Sequence, residues 1–110
     1  ISCPVVETVR GSDFLLLVTE PTPFGLHDLR LAAQVARELN VPAGVIINRE
    51  NGLFPALEAF CQEQDLPVLL RIPFEREIAE GVAKGKTLVE IHPGYMELFM
   101  LMFHQIGKAI

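Results

Sequence analysis

Three short apolar runs alternate with longer stretches of helical periodicity along this chain. The runs are Asp13-Phe-Leu-Leu-Leu-Val-Thr19, Ala43-Gly-Val-Ile-Ile-Asn48 and Val68-Leu-Leu-Arg-Ile72, and the last two follow a proline, Pro42 and Pro67. Their apolar residues are continuous rather than alternating, the pattern of a strand with protein on both faces. Between them Leu26, Leu29, Ala33, Ala36 and Leu39 recur at three- or four-residue spacing, with Asp28, Arg30, Arg37 and Glu38 elsewhere around the turn. That pattern predicts an amphipathic helix. Leu53, Leu57, Phe60 and Cys61 repeat the spacing ahead of Gln62-Glu63-Gln64-Asp65. A third helix is predicted from Glu75 to Ala83, with Ile78 and Val82 four residues apart, and a last one from Tyr95 to Ile110, opened by Pro93-Gly94. Leu88-Val-Glu-Ile91 reads as a short extended piece, and Cys3 to Val9 as a further helix.

Strands that alternate with helices pair in parallel through crossovers. The expected fold class is therefore α/β, a three-layer parallel sheet with flanking helices, in one domain over residues 1–110. Three parallel strands make a small sheet, and such sheets normally have more. With no strand ahead of Ile1, the expectation is a piece of a larger sheet.

Composition narrows the function classes. The chain has 110 residues, a net charge of −5 and a pI near 5.1, without the basic stripe of a general nucleic-acid binder. No apolar run is long enough for a membrane span, and the first residues lack a secretory pattern, so a cytoplasmic location is expected. Cys3 and Cys61 form neither a CxxC pair nor a disulfide framework.

Ligands of open parallel sheets bind beyond the carboxyl ends of the strands. Thr19-Glu20-Pro21-Thr22, Asn48-Arg49-Glu50-Asn51 and Pro73-Phe74-Glu75 lie there, although Pro, Asn and Thr also suit ordinary turns. Asn48 stands out because a carboxamide both donates and accepts, and so can pair with the amino group and ring nitrogen of a purine. Glu75 is placed either to frame the same base or to meet a helix dipole. Gly81-Val-Ala-Lys-Gly85-Lys86-Thr87 resembles a phosphate-binding loop, but it has three residues between its glycines where four are needed. It also follows a helical pattern rather than a strand, so a surface loop is the better reading. His27, His92 and His104 have no metal-ligand spacing. The apolar end containing Met96, Phe99, Met100, Met102 and Phe103 is expected to pack in the core, with a partner groove as the alternative.

Five segments in this order, Ser2-Cys-Pro-Val-Val6, Leu17-Val-Thr-Glu-Pro-Thr22, Gly25-Leu-His-Asp-Leu29, Gly44-Val-Ile-Ile-Asn-Arg49 and Arg71-Ile-Pro-Phe-Glu75, resemble the C-terminal half of a MinD/ParA-type P-loop ATPase. The likeness is greatest to members of that superfamily with an inserted ferredoxin-like domain. It implies a partial P-loop NTPase, Rossmann-like fold without its N-terminal half. It also implies a nucleotide site in which Asn48 contacts adenine, Arg49 follows it, and Pro73, Phe74 and Glu75 flank the base. Thr19, Glu20, Pro21, Thr22, His27 and Asp28 match a segment beside the active site, near a partner or dimer face. Ser2-Cys3-Pro4 matches the stretch after the switch-II aspartate.

By the same resemblance, the full protein is a dimeric ATPase using ATP/ADP with Mg, and an iron–sulfur cluster belongs to an upstream insert. The Walker A loop, switch-I acid and switch-II aspartate do not occur in this sequence, so the chain alone is not expected to hydrolyse ATP or to hold a cofactor tightly. Self-association through an open sheet edge or an apolar helix side is expected. The alternatives are a free-standing flavodoxin-like α/β domain working by protein contacts, and a small enzyme using Glu20, His27 and Asp28 as acid/base groups.

Overall fold

In the computed structural model the three apolar runs are the strands β1 (Leu15–Thr19), β2 (Ala43–Glu50) and β3 (Val68–Pro73), all parallel in the order β1-β2-β3. The structure describes residues 9–110. The Ser2-Cys3-Pro4 match and all but the last residue of the expected Cys3–Val9 helix lie outside that range. Helices α1 (Pro23–Glu38) and α2 (Pro55–Glu63) join successive strands. They are followed by α3 (Arg76–Ala83), α4 (Leu88–Ile91) and α5 (Tyr95–Ala109).

The layers follow from strand alternation. Val45 and Ile47 of β2 point to one face and meet Leu26, Leu29 and Ala33 of α1 and Leu57, Phe60 and Cys61 of α2. Ile46 points to the other face, with Leu70 of β3, and α5 covers it with Met102, Phe99 and Ile106. This is a three-layer α/β arrangement compatible with part of a Rossmann-like fold.

Local chemistry sets where the elements start. Thr22 caps α1 by accepting the Gly25 N–H at 3.0 Å, and Pro23 begins the helix with its fixed φ. Gly25 is required by packing, since a Cβ there would lie 2.2 Å from the Glu20 carbonyl oxygen. The second helix starts at Pro55, later than the periodicity predicts, which leaves Leu53 75% exposed while Phe54 packs on the core instead.

Two expectations need correction. Leu88–Ile91 is helical rather than extended. The β-branched Val89 and Ile91 favour strand, but the Thr87 hydroxyl accepts the Glu90 N–H and the Glu90 carboxylate accepts the Thr87 N–H. This capping box outweighs the local propensity. The apolar end is also not a core helix: in α5 only Met102 is fully buried, and Met96, Leu98, Met100, Leu101 and Phe103 are exposed. The Gly81–Thr87 stretch is no phosphate loop. Gly81 sits inside α3 against Ile91, and Gly85 makes the left-handed turn to α4.

Candidate functional site at the carboxyl ends of the strands

The end of β2 departs from regular pairing. Ile47 pairs with Arg71 and Glu50 with Pro73, so β2 carries one more residue than β3 over this stretch. The surplus is a bulge at Asn48–Arg49, where Arg49 takes a left-handed φ of 55°. For a non-glycine residue that conformation costs about 1–2 kcal/mol. Pairing resumes beyond the bulge, since the Phe74 N–H donates to the Glu50 carbonyl at 2.8 Å. The bulge thus turns Asn48 and Arg49 out of the ladder while both strands stay anchored.

They turn into a cleft of about 300 Å³ lined by Asn48, Arg49, Pro73, Phe74, Glu75, Ile78, Ala79 and Val82. Sequence reasoning on Asn48, Arg49, Pro73, Phe74 and Glu75 therefore named residues that the fold gathers around one space. It did not identify the wall supplied by α3. The signal was the four-residue spacing of Ile78 and Val82, but the partner of that apolar face was not legible: Ile78 is buried and Val82 is 55% exposed on the cleft.

The lining has a definite chemistry. The Asn48 side-chain oxygen accepts the Arg49 N–H at 2.9 Å, which fixes the amide and leaves its NH2 and a second lone pair for a ligand. The Arg49 guanidinium lies over the Phe74 ring, 5.2 Å from its centroid. At an exposed site such a contact contributes about 0.5–1 kcal/mol. Glu75, the N-cap residue of α3, makes no side-chain cap bond. Its carboxylate lies 3.6 Å from His92 Nε2, which is also 3.7 Å from Glu77. His92 is a neighbour that no spacing rule indicated. Burial first, and then Glu75, push the Tyr95 phenol above its ordinary range.

A second cleft, of about 240 Å³, lies between the ends of β1 and β2 and shares Asn48 as a wall. Glu20, Phe24, Gly25 and Asp28 line it with Val18 and Thr19. Thr19 is buried, and its hydroxyl donates to the Gly25 carbonyl at 2.8 Å. Thr22 is engaged as the α1 cap, and Pro21 is half-buried. His27 is exposed and lies outside both cleft linings, so the structure does not gather Glu20, His27 and Asp28 at one place.

The donor set does not fit a metal cluster: among the described residues no group of three or more His, Cys, Asp or Glu side chains is placed to hold a metal ion. Cys61 is 3% exposed in the core, and burial first, then Glu58, pushes its thiol above the ordinary range against the opposing pull of Arg71. Among the described residues no helix is long and apolar enough to cross a membrane.

Curated proteins share this sequence pattern at a distance. An uncharacterized protein of Methanocaldococcus jannaschii is 30% identical over 88 residues, covering 80% of this chain and 29% of that protein. An iron-sulfur cluster carrier protein of Aquifex aeolicus is 31% identical over 91 residues, covering 71% of this chain and 25% of that protein. The chain is thus a distant relative of an iron–sulfur cluster carrier, and it spans less than a third of either curated relative. No protein-family model matches it.

Proposed function

We propose that this chain is the adenine-side portion of a nucleotide-binding ATPase module of the MinD/ParA type. One observation carries the reading: the bulge after β2 delivers the Asn48 amide to the same cleft as the Pro73–Glu75 turn. That cleft is at the small end of the range for ligand sites, about 300–1,000 Å³, and suits a flat base better than a whole nucleoside triphosphate. The amide offers a donor and an acceptor to the edge of a purine, while Pro73 and the apolar side of α3 offer it a face. Similarity to an iron–sulfur cluster carrier supports the assignment, and the partial coverage of that relative leaves the phosphate-holding and magnesium-holding parts to other polypeptide.

Among the described residues no strand pairs with the outer edge of β1, which supports the same reading. Beside it runs an apolar groove of about 380 Å³ lined by Val9, Leu15, Leu17, Leu31, Ala32 and Val35 with Asp28 at its rim. An unpaired row of backbone groups next to such a groove is suited to a further strand. In this reading the sheet continues past β1 into the part that grips phosphate, and dimerisation of the full protein takes place near the second cleft. A cluster, if the full protein carries one, is held by residues outside the described part of this chain, because the donor set here does not fit it.

Affinity follows from magnitudes. Each base hydrogen bond contributes about 0.5–1.5 kcal/mol net. Association costs about 4–15 kcal/mol, so a base held without its phosphates binds at millimolar strength or weaker. The test is an NMR titration of the chain with adenosine and ATP. The expected result is fast-exchange shifts confined to Asn48, Arg49 and residues 73–75, weaker with guanosine. Shifts elsewhere, or micromolar ATP affinity for this chain alone, would overturn the reading.

A further inference from the structure

Among the described residues, α5 carries more of the exposed large apolar side chains than any other element, with Met96 52%, Met100 64% and Phe103 61% exposed. One line of the helix, Phe99, Met102 and Ile106, is turned to the sheet. Roughly a quarter turn away, at about 100° per residue, runs a second line of Met96, Met100, Phe103 and Gly107, spaced four, three and four residues apart. That is the spacing of a helix–helix seam, and its members are exposed.

We infer that this seam pairs with itself, α5 against α5 of a second copy, antiparallel about a two-fold axis between Leu101 and Met102. The size order requires that direction. Antiparallel pairing sets Met96 against the partner's Gly107 and Met100 against the partner's Phe103, large over small at the ends and flexible over flat at the centre. Parallel pairing in register would stack Met96 on Met96 and leave a gap at Gly107. Charge agrees: Glu97, His104 and Lys108 lie along one flank of the seam. In the antiparallel pair each Glu97 faces the same flank of the partner and lies close to the partner's Lys108. A seam whose two ends complement each other in both size and charge is matched to a copy of itself.

The area sets the strength. A helix of 15 residues is about 22 Å long, and a strip of that length about 10 Å wide is well short of the roughly 800 Å² per partner of a standard interface. The dimer is therefore weak and concentration-dependent. The inference is independent of the nucleotide reading, because no seam residue lines either cleft beside Asn48.

The test is sedimentation equilibrium of the 110-residue chain from micromolar to millimolar concentration, with circular dichroism to confirm that each variant is folded. The weight-average mass is expected to rise toward the dimer. Met100→Glu and Phe103→Lys are each expected to raise the dissociation constant about tenfold or more. The combined variant is expected to recover dimerisation, since the introduced carboxylate of one copy then faces the introduced ammonium of the other. A chain that is monomeric throughout would overturn the inference. So would single variants that leave the mass unchanged, or a combined variant no better than the singles.

Discussion

The two faces of the sheet are built from the same strands but finished to different degrees. On the α1/α2 face Val45, Ile47 and Leu57 are wholly excluded from solvent. On the α5 face Ile46, Leu70 and Met102 are buried, yet Val18 is 64% exposed and the outer side of α5 is open. The difference comes from connectivity. Each crossover returns a helix to the same side, so α1 and α2 pack together over β2, whereas among the described residues α5 is the long helix that covers the opposite side. The closed face holds the fold together. Binding and assembly fall to the strand ends and to the open face.

Substitutions can break that contrast. The largest effect is expected for Leu57→Ala on the closed face, a loss of about 2–5 kcal/mol by urea unfolding, since a fully enclosed side chain leaves a cavity its neighbours cannot fill. Met102→Ala should cost clearly less, because α5 is free to shift over an open flank, and equal losses would erase the distinction. Gly25→Ala is expected to cost about 1–3 kcal/mol, because its new Cβ would force the first turn of α1 away from the Glu20 carbonyl. A stability unchanged within error would show that this turn is pliable.

Asn48→Ala is expected to leave stability nearly unchanged and to weaken adenosine binding by about tenfold or less, the loss of one or two hydrogen bonds. NMR titration reads both. Alkylation of Cys61 is expected to be slow in the native chain, since its thiol is buried and its pKa is raised, and to become fast only on unfolding. Peptide mass spectrometry after timed labelling measures it.

The smallest effect concerns acid. The Thr87 backbone N–H first, then the Thr87 hydroxyl and Lys86, hold the Glu90 carboxyl below its ordinary value. The folded pKa is depressed, so this capping contribution is fully present above the unfolded value of about 4.3 and is lost as pH falls through the folded one. Amide shifts of α4 should therefore move toward coil at acid pH, before the sheet unfolds.

Much of this arrangement was legible in residue order. Strands with continuous apolar runs announce a sheet covered on both faces, and Asn48 and the Pro73–Glu75 turn are chemically conspicuous just after them. The bulge was not legible, because it depends on how β2 and β3 pair beyond Ile47 rather than on either strand alone. His92 beside Glu75 was equally hidden, since seventeen positions of chain, including two helices and the Gly85 turn, separate them. For Leu88–Ile91 propensity pointed to strand while a side-chain cap decided for helix.

Sequence by itself determined the three strands, the longer helices, the parallel pairing and the residues facing the strand ends, because periodicity, prolines and caps act within a few positions. Only the tertiary structure decided that α3 supplies a wall of the cleft that Asn48 and Glu75 line, and that α5 lies half-bare across the sheet. Those outcomes depend on strand register and on how many helices cover each face, quantities that arise only when distant segments meet.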